Sequence, residues 1–175
     1  QRRREGVVGW CANLGAVVDR GALQCGNLPA FGQDGAGGAV FGWYQVSPLQ
    51  SLAQHIRADG SEAFPHNGVP GSTNTGHDQV NPTVSYDQAT ESTYLFWDEI
   101  LEGPLTNEGV SGQKFAADGA VQWGAFGVVV QPFTSSAVLG VERMFRTAGP
   151  LVGWSSDVAF PQPMTTRVGV DATEA

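Results

Sequence analysis

Glycine and proline break this chain so often that long helices are excluded before any motif is considered. Its 175 residues include 24 glycines and 10 prolines. In a helix interior glycine costs about 1 kcal/mol relative to alanine, and proline about 3 kcal/mol. Such punctuation favours short strands joined by many turns. With 41% hydrophobic and 15% charged residues, the chain has enough apolar material for one ordinary core and is not of the disordered class. The expectation is a mainly β single domain over residues 6–175, a β-sandwich or jelly-roll-like fold with one or two short helices, preceded by a basic arm at residues 1–5. No internal repeat, low-complexity block or domain linker stands out.

Along the chain, short apolar clusters between glycines read as strands over residues 6–30, and Asp34 to Gly38 reads as a turn. Val40 to Val46 reads as an aromatic-rich strand. Pro48 to Ala58 carries Leu49, Leu52, Ala53 and Ile56 at helical spacing behind a Ser47 cap, which predicts a short helix. Residues 59–83 form the longest polar stretch. With turn signals at Asn67-Gly68, Pro70-Gly71 and Asn81-Pro82, they predict an exposed interaction loop. Thr90 to Leu101 fits a one-face helix or a buried strand, and the helix is the preferred reading. Asp118-Gly119 between Lys114-Phe115 and Val121-Trp123 is a hairpin signal. Phe126 to Val130, Ala137 to Phe145, Leu151 to Trp154 and Thr166 to Val170 read as further strands.

The charges are unevenly placed. Arg2, Arg3 and Arg4 open a chain of formal net charge −8 and pI near 4.6, and Lys114 is its single lysine. That balance argues against a broad nucleic-acid surface, so nucleic-acid contact is expected only through the N-terminal arm. No apolar run reaches the roughly 20 residues of a membrane-spanning helix, and membrane insertion is not expected. The chain starts at Gln1 rather than Met, as a processed product or a numbering begun inside a longer one would. Cys11 and Cys25 flank two short strands around a turn. A disulfide between them would contribute roughly 3 kcal/mol, and two free thiols are the alternative.

Candidate chemistry is sparse. His66, His77 and Asp78 share the polar stretch, but their spacing, with or without His55, matches no metal signature, and no metal or cofactor is expected. Asp98, Glu99 and Glu102 stand beside Tyr94 and Trp97. On a helix, Asp98 and Glu102 would share a face, and paired acids beside aromatics are the ingredients of a sugar-cleaving site. The serines lack a nucleophile elbow, and no phosphate or dinucleotide loop occurs. Five tryptophans, Trp10, Trp43, Trp97, Trp123 and Trp154, are available for packing, sugar stacking or interfaces.

By elimination the sequence points to a non-enzymatic structural assembly subunit: a viral or phage capsid or decoration protein, or a filament protomer. Its partners would be other copies or neighbouring structural proteins, with Arg2, Arg3, Arg4, Trp97 and Trp154 at the contacts. The expected location is virion or extracellular. The alternative is a secreted carbohydrate-binding β-sandwich, and behind it a glycan-acting hydrolase using the Asp98, Glu99, Glu102 cluster.

Overall fold

The computed structural model describes residues 29–101, 107–134, 138–146, 149–156 and 164–167, with side chains through residue 133. Arg2, Arg3, Arg4, Cys11, Cys25, Trp10 and Glu102 lie outside the described residues, as does the side chain of Trp154. The described residues form eleven strands: β1 (Ala30–Gln33), β2 (Ala39–Val46), β3 (Leu49–Ile56), β4 (Val69–Pro70), β5 (Asp78–Asp87), β6 (Ser92–Leu101), β7 (Asn107–Phe115), β8 (Val128–Thr134), β9 (Val138–Arg146), β10 (Gly149–Ser156) and β11 (Met164–Arg167). They make three antiparallel sheets, ordered β1-β2-β3-β4, β5-β6-β7-β8 and β11-β10-β9. The mainly β expectation holds.

The two expected helices are strands. Residues 48–58 contain β3, and residues 90–101 contain β6. Both are inner strands of their sheets, and Gln50 to His55 and Ser92 to Glu99 are buried on both faces. A strand covered on both sides has no alternation to show, so chance helical spacing is the only period left to read. The expected loop at 59–83 is also corrected. It folds back along β3 as a tight turn, an isolated bridge and β4, and Asp78 already begins β5. The predicted strand over 40–46 and the turn at Asp118-Gly119 are present, and the strand expected over 126–130 begins at Val128 and runs to Thr134. Pro132 lies within β8, which tolerates it as the edge of its sheet.

The structure exposes an internal repeat that the sequence reading missed. Gln54, Ala58, Asp59, Gly60, Gly68 and Val69 recur 59 positions later as Gln113, Ala117, Asp118, Gly119, Gly127 and Val128. The geometry recurs with them. Gln54 Oε1 accepts from the backbone N–H groups of His55 and Phe64, and its Nε2 donates to Pro65 O. Gln113 Oε1 accepts from Lys114 N and Trp123 N, and its Nε2 donates to Gly124 O. Asp59 and Asp118 each cap their turn by accepting from the backbone N–H two residues on. Gly60 and Gly119 take φ of 84° and 90° in these turns, where a side chain would be strained. Each buried glutamine therefore clips the returning segment onto its own sheet.

The first two sheets pack face to face, the sandwich relation. Val40, Ala53 and Phe64 of the first sheet meet Val84, Leu95, Trp97 and Phe115 of the second. On the opposite face of the second sheet, Tyr94, Phe96, Val110 and Trp123 form another cluster. Phe64 and Trp123 thus hold matching positions, each projecting from its clipped segment. Gly71 admits the Trp97 ring, since a Cβ there would sit 2.6 Å from Trp97 Cζ3. The Gln113 Nε2 also donates to Gly71 O, tying the first unit to the second. In the third sheet, β9 lies against β5, β6 and β7.

Candidate functional site

The space between the first two sheets is apolar in the middle and polar at both ends. At one end, the β1–β2 and β5–β6 turns border a groove of about 470 Å³, lined by residues of β1, β5 and the two turns. Phe31 and Tyr86 supply rings, and Gln33, Ser85 and Gln88 supply amide and hydroxyl groups. The groove exists because β1 alternates, with Phe31 and Gln33 outward and Ala30 and Gly32 inward.

Its wall is held by a buried acid–base pair. Asp34 Oδ1 accepts from Ala36 N and Gly38 N, both at 2.8 Å, which shapes the β1–β2 turn. Asp34 Oδ2 lies 3.0 Å from His55 Nε2, with both side chains nearly inaccessible. The bond to His55 holds the Asp34 carboxyl below its usual range, reinforced by the turn N–H groups and opposed by burial. The His55 ring rests against Tyr86, centroids 5.0 Å apart, and against Phe64 at 6.3 Å. Burial raises the Tyr86 phenol, and Glu91, Asp34 and Asp87 push it further, so it stays a neutral donor. None of these residues was singled out as a site from the sequence. Asp34 recurs as Asp87 at the end of β5, where Oδ1 again accepts from the N–H two residues on. The two aspartates are 53 positions apart, out of step with the 59-residue repeat, so the match shows only in the turns.

The opposite end holds the residues that the sequence did single out. Glu99 Oε1 lies 2.9 Å from His77 Nδ1, and Ser111 Oγ donates to Glu99 Oε2. Asn74 Nδ2 approaches His77 Nδ1 at 3.1 Å, and the ring of Phe133 stands edge-on to His77. Asp98 is buried on the other face of β6, accepting from Asn81 Nδ2 at 2.9 Å with Oδ1 unpartnered. Burial pushes its carboxyl up to about 7, opposed by the Asn81 bond and assisted by Glu108. Adjacent strand residues project to opposite faces, so Asp98 and Glu99 cannot flank one glycosidic bond. The pairing of Asp98 with Glu102 involves a residue outside the described ones. His66 pairs with Glu62 on the surface, away from the Glu99 pairing that His77 makes. Among the described residues, no group of three or more His, Cys, Asp or Glu side chains could hold a metal ion.

Trp97 is fully buried against the first sheet, which corrects its expected place at an assembly contact. Trp43 and Trp123 are buried as well. Trp43, Trp97 and Trp123 are core residues, and the groove's rings are Phe31 and Tyr86. The exposed apolar side chains include Val121, Phe126 and Val129, all in the second unit.

No protein-family model and no curated protein matches the chain. Among solved structures, the endo-arabinase of Bacteroides thetaiotaomicron VPI-5482 is similar at a TM-score of 0.47 and 9% identity, over 82% of this chain and 56% of that one. The chain thus spans little more than half of that enzyme's length, and the similarity is too low to bear on function.

Proposed function

We propose that this is a non-enzymatic carbohydrate-binding protein whose ligand lies in the Phe31–Tyr86 groove. The observation that carries the reading is the lining itself. Two rings offer faces for the C–H side of a sugar, while Gln33, Gln88, Ser85 and the Tyr86 hydroxyl offer donors and acceptors for its oxygens. The volume falls in the range of small-molecule sites, and among the described residues no Lys or Arg lines the groove to favour a phosphate. Titration of the 15N-labelled protein with neutral oligosaccharides tests it. Shifts should concentrate at Gln33, Ser85, Tyr86 and Gln88. Phe31→Ala should weaken binding about fivefold, the loss of about 1 kcal/mol of ring contact. Shifts scattered over the surface, or unchanged affinity in Phe31→Ala, would refute the reading.

One observation favours assembly as a second reading. Where the first unit carries Glu62, Asn67 and Pro70, the second carries exposed Val121, Phe126 and Val129 on the same backbone. The fold does not require apolar groups there, so they serve self-association along the outer edge of the second sheet. Light scattering on the wild type and on a Val121→Glu, Phe126→Asn, Val129→Pro variant tests it, and equal masses at high concentration would exclude it.

A further inference from the structure

We propose that the outer face of the first sheet is a docking surface for the chain's own residues 1–28. Strand register defines the face. Phe31, Phe41 and Gln54 stand opposite one another across β1, β2 and β3, and Trp43 stands opposite Leu52. Alternation places these five on one side of the sheet and Val40 and Ala53 on the other. Val40 and Ala53 meet Val84, Leu95 and Trp97 of the second sheet, whereas Trp43, Leu52 and Phe41 form a separate apolar cluster. Among the described residues, no strand of another sheet belongs to that cluster. Yet Trp43 is only 4% exposed and Leu52 8%, within a single chain. Burial of that degree without a partner molecule points to an occupant from the same chain.

The internal repeat says which part of the chain it is. Trp43 stands opposite Leu52, just ahead of Gln54, as Trp97 stands opposite Ser111, just ahead of Gln113. A Cβ on Gly68 would sit 2.5 Å from Trp43 Cη2, and one on Gly127 would sit 3.2 Å from Trp97 Cη2. Each indole thus lies on the glycine of its own clipped segment. Trp97 also takes a second glycine, Gly71, from the stretch between β4 and β5, immediately ahead of its own unit. The matching stretch for Trp43 is immediately ahead of β1, within residues 1–28. That stretch carries Val7, Val8, Trp10, Val17 and Val18, the apolar side chains such a face takes. It also joins the right sheet, through Pro29 to β1. Four strands span about 15 Å, which an extended chain crosses in about five residues, so its length is ample. The residues after β10, by contrast, leave from the third sheet, whose β9 packs against the second.

The test is photo-crosslinking of the full chain with benzoylphenylalanine in place of Phe41 or, separately, of Gln45, which lies on the same face. Irradiation should give products of monomer mass, with crosslinks from both positions mapping into residues 1–28. The second measurement is tryptic cleavage after Arg20. A carboxylate on the apolar face should release the occupant, so Phe41→Asp should raise the cleavage rate about tenfold over wild type. Cleavage after Arg57, in the turn of the first unit, should not change, which separates release from unfolding. Crosslinks of dimer mass would assign the face to a second copy and overturn the proposal. Crosslinks that avoid residues 1–28 from both positions would overturn it too, as would equal cleavage after Arg20 in the two proteins.

Discussion

Gln113→Ala should destabilise the protein more than Gln54→Ala, its counterpart in the first unit. The side chain is fully buried, and its amide makes four hydrogen bonds: Oε1 with Lys114 N and Trp123 N, Nε2 with Gly71 O and Gly124 O. At about 1 kcal/mol net for each, the loss is about 4 kcal/mol. Gln54 makes three such bonds, to His55 N, Phe64 N and Pro65 O, so Gln54→Ala should cost about 3 kcal/mol. The difference of about 1 kcal/mol is the bond to Gly71 O, which joins the two units. Gln113→Glu separates the two ends of the amide. It keeps the acceptor bonds but turns carboxylate oxygen toward two carbonyl oxygens, so part of the loss should return as pH falls and the carboxyl protonates. Urea unfolding followed by tryptophan fluorescence measures all three, and 4 kcal/mol corresponds to a midpoint shift of about 2 M at a slope of about 2 kcal/mol/M. Gln122→Ala, on the exposed side of the same segment, is the control and should stay within about 0.5 kcal/mol. A Gln113→Ala loss below 1 kcal/mol, or a larger loss for Gln54→Ala, would refute the clip as the device that holds each unit together.

Three further outcomes are expected. Gly71→Ala should lower stability by about 1–3 kcal/mol in thermal unfolding, because its Cβ would sit 2.6 Å from the Trp97 ring. Trp97→Ala should lose about 3–5 kcal/mol and leave sugar affinity unchanged in the fraction that stays folded; a selective loss of binding at full stability would mean that the ring is not a core residue. Asp98→Asn should change the pH dependence of stability in one direction. The folded carboxyl titrates near 7 against an ordinary 3.8, so its protonated form favours the native state below pH 3.8, and that advantage is lost as pH rises through 7. The variant should match the wild type near pH 4 and exceed it by up to roughly 4 kcal/mol at pH 8. A wild-type-minus-variant difference that is flat between pH 4 and 8 would show that burial does not hold the proton on Asp98.

Much of the architecture was legible in the residues. Glycine and proline density excluded long helices, and β-branched and aromatic runs marked β2, β8, β9 and β10. Asp118-Gly119 declared its turn because that dipeptide carries its conformation locally. The candidate site was far less legible. Asp98 and Glu99 were visible as acids, but their meaning depended on whether β6 was a helix or a strand. On a strand they part to opposite faces, and Glu99 instead meets His77, which is 22 positions away. The 59-residue repeat was present in the letters and was missed, because six identities spread over sixteen positions look like chance until the same hydrogen bonds are seen twice.

What the sequence determined by itself was local: where the chain can bend, where it cannot be helical, and how acidic it is. What the tertiary structure decided was every pairing across distance. Burial on both faces erased the alternation of β3 and β6, so only their neighbours could define them as strands. Trp97 became a core residue because the first sheet covers it and Gly71 leaves room for its ring. The groove belongs to no segment. Phe31 and Tyr86 both line it although 55 positions separate them, and His55 braces both the Asp34 turn and the Tyr86 ring. Such contacts depend on strand register and sheet packing, which arise from the sum of many weak interactions along the chain rather than from any stretch of it.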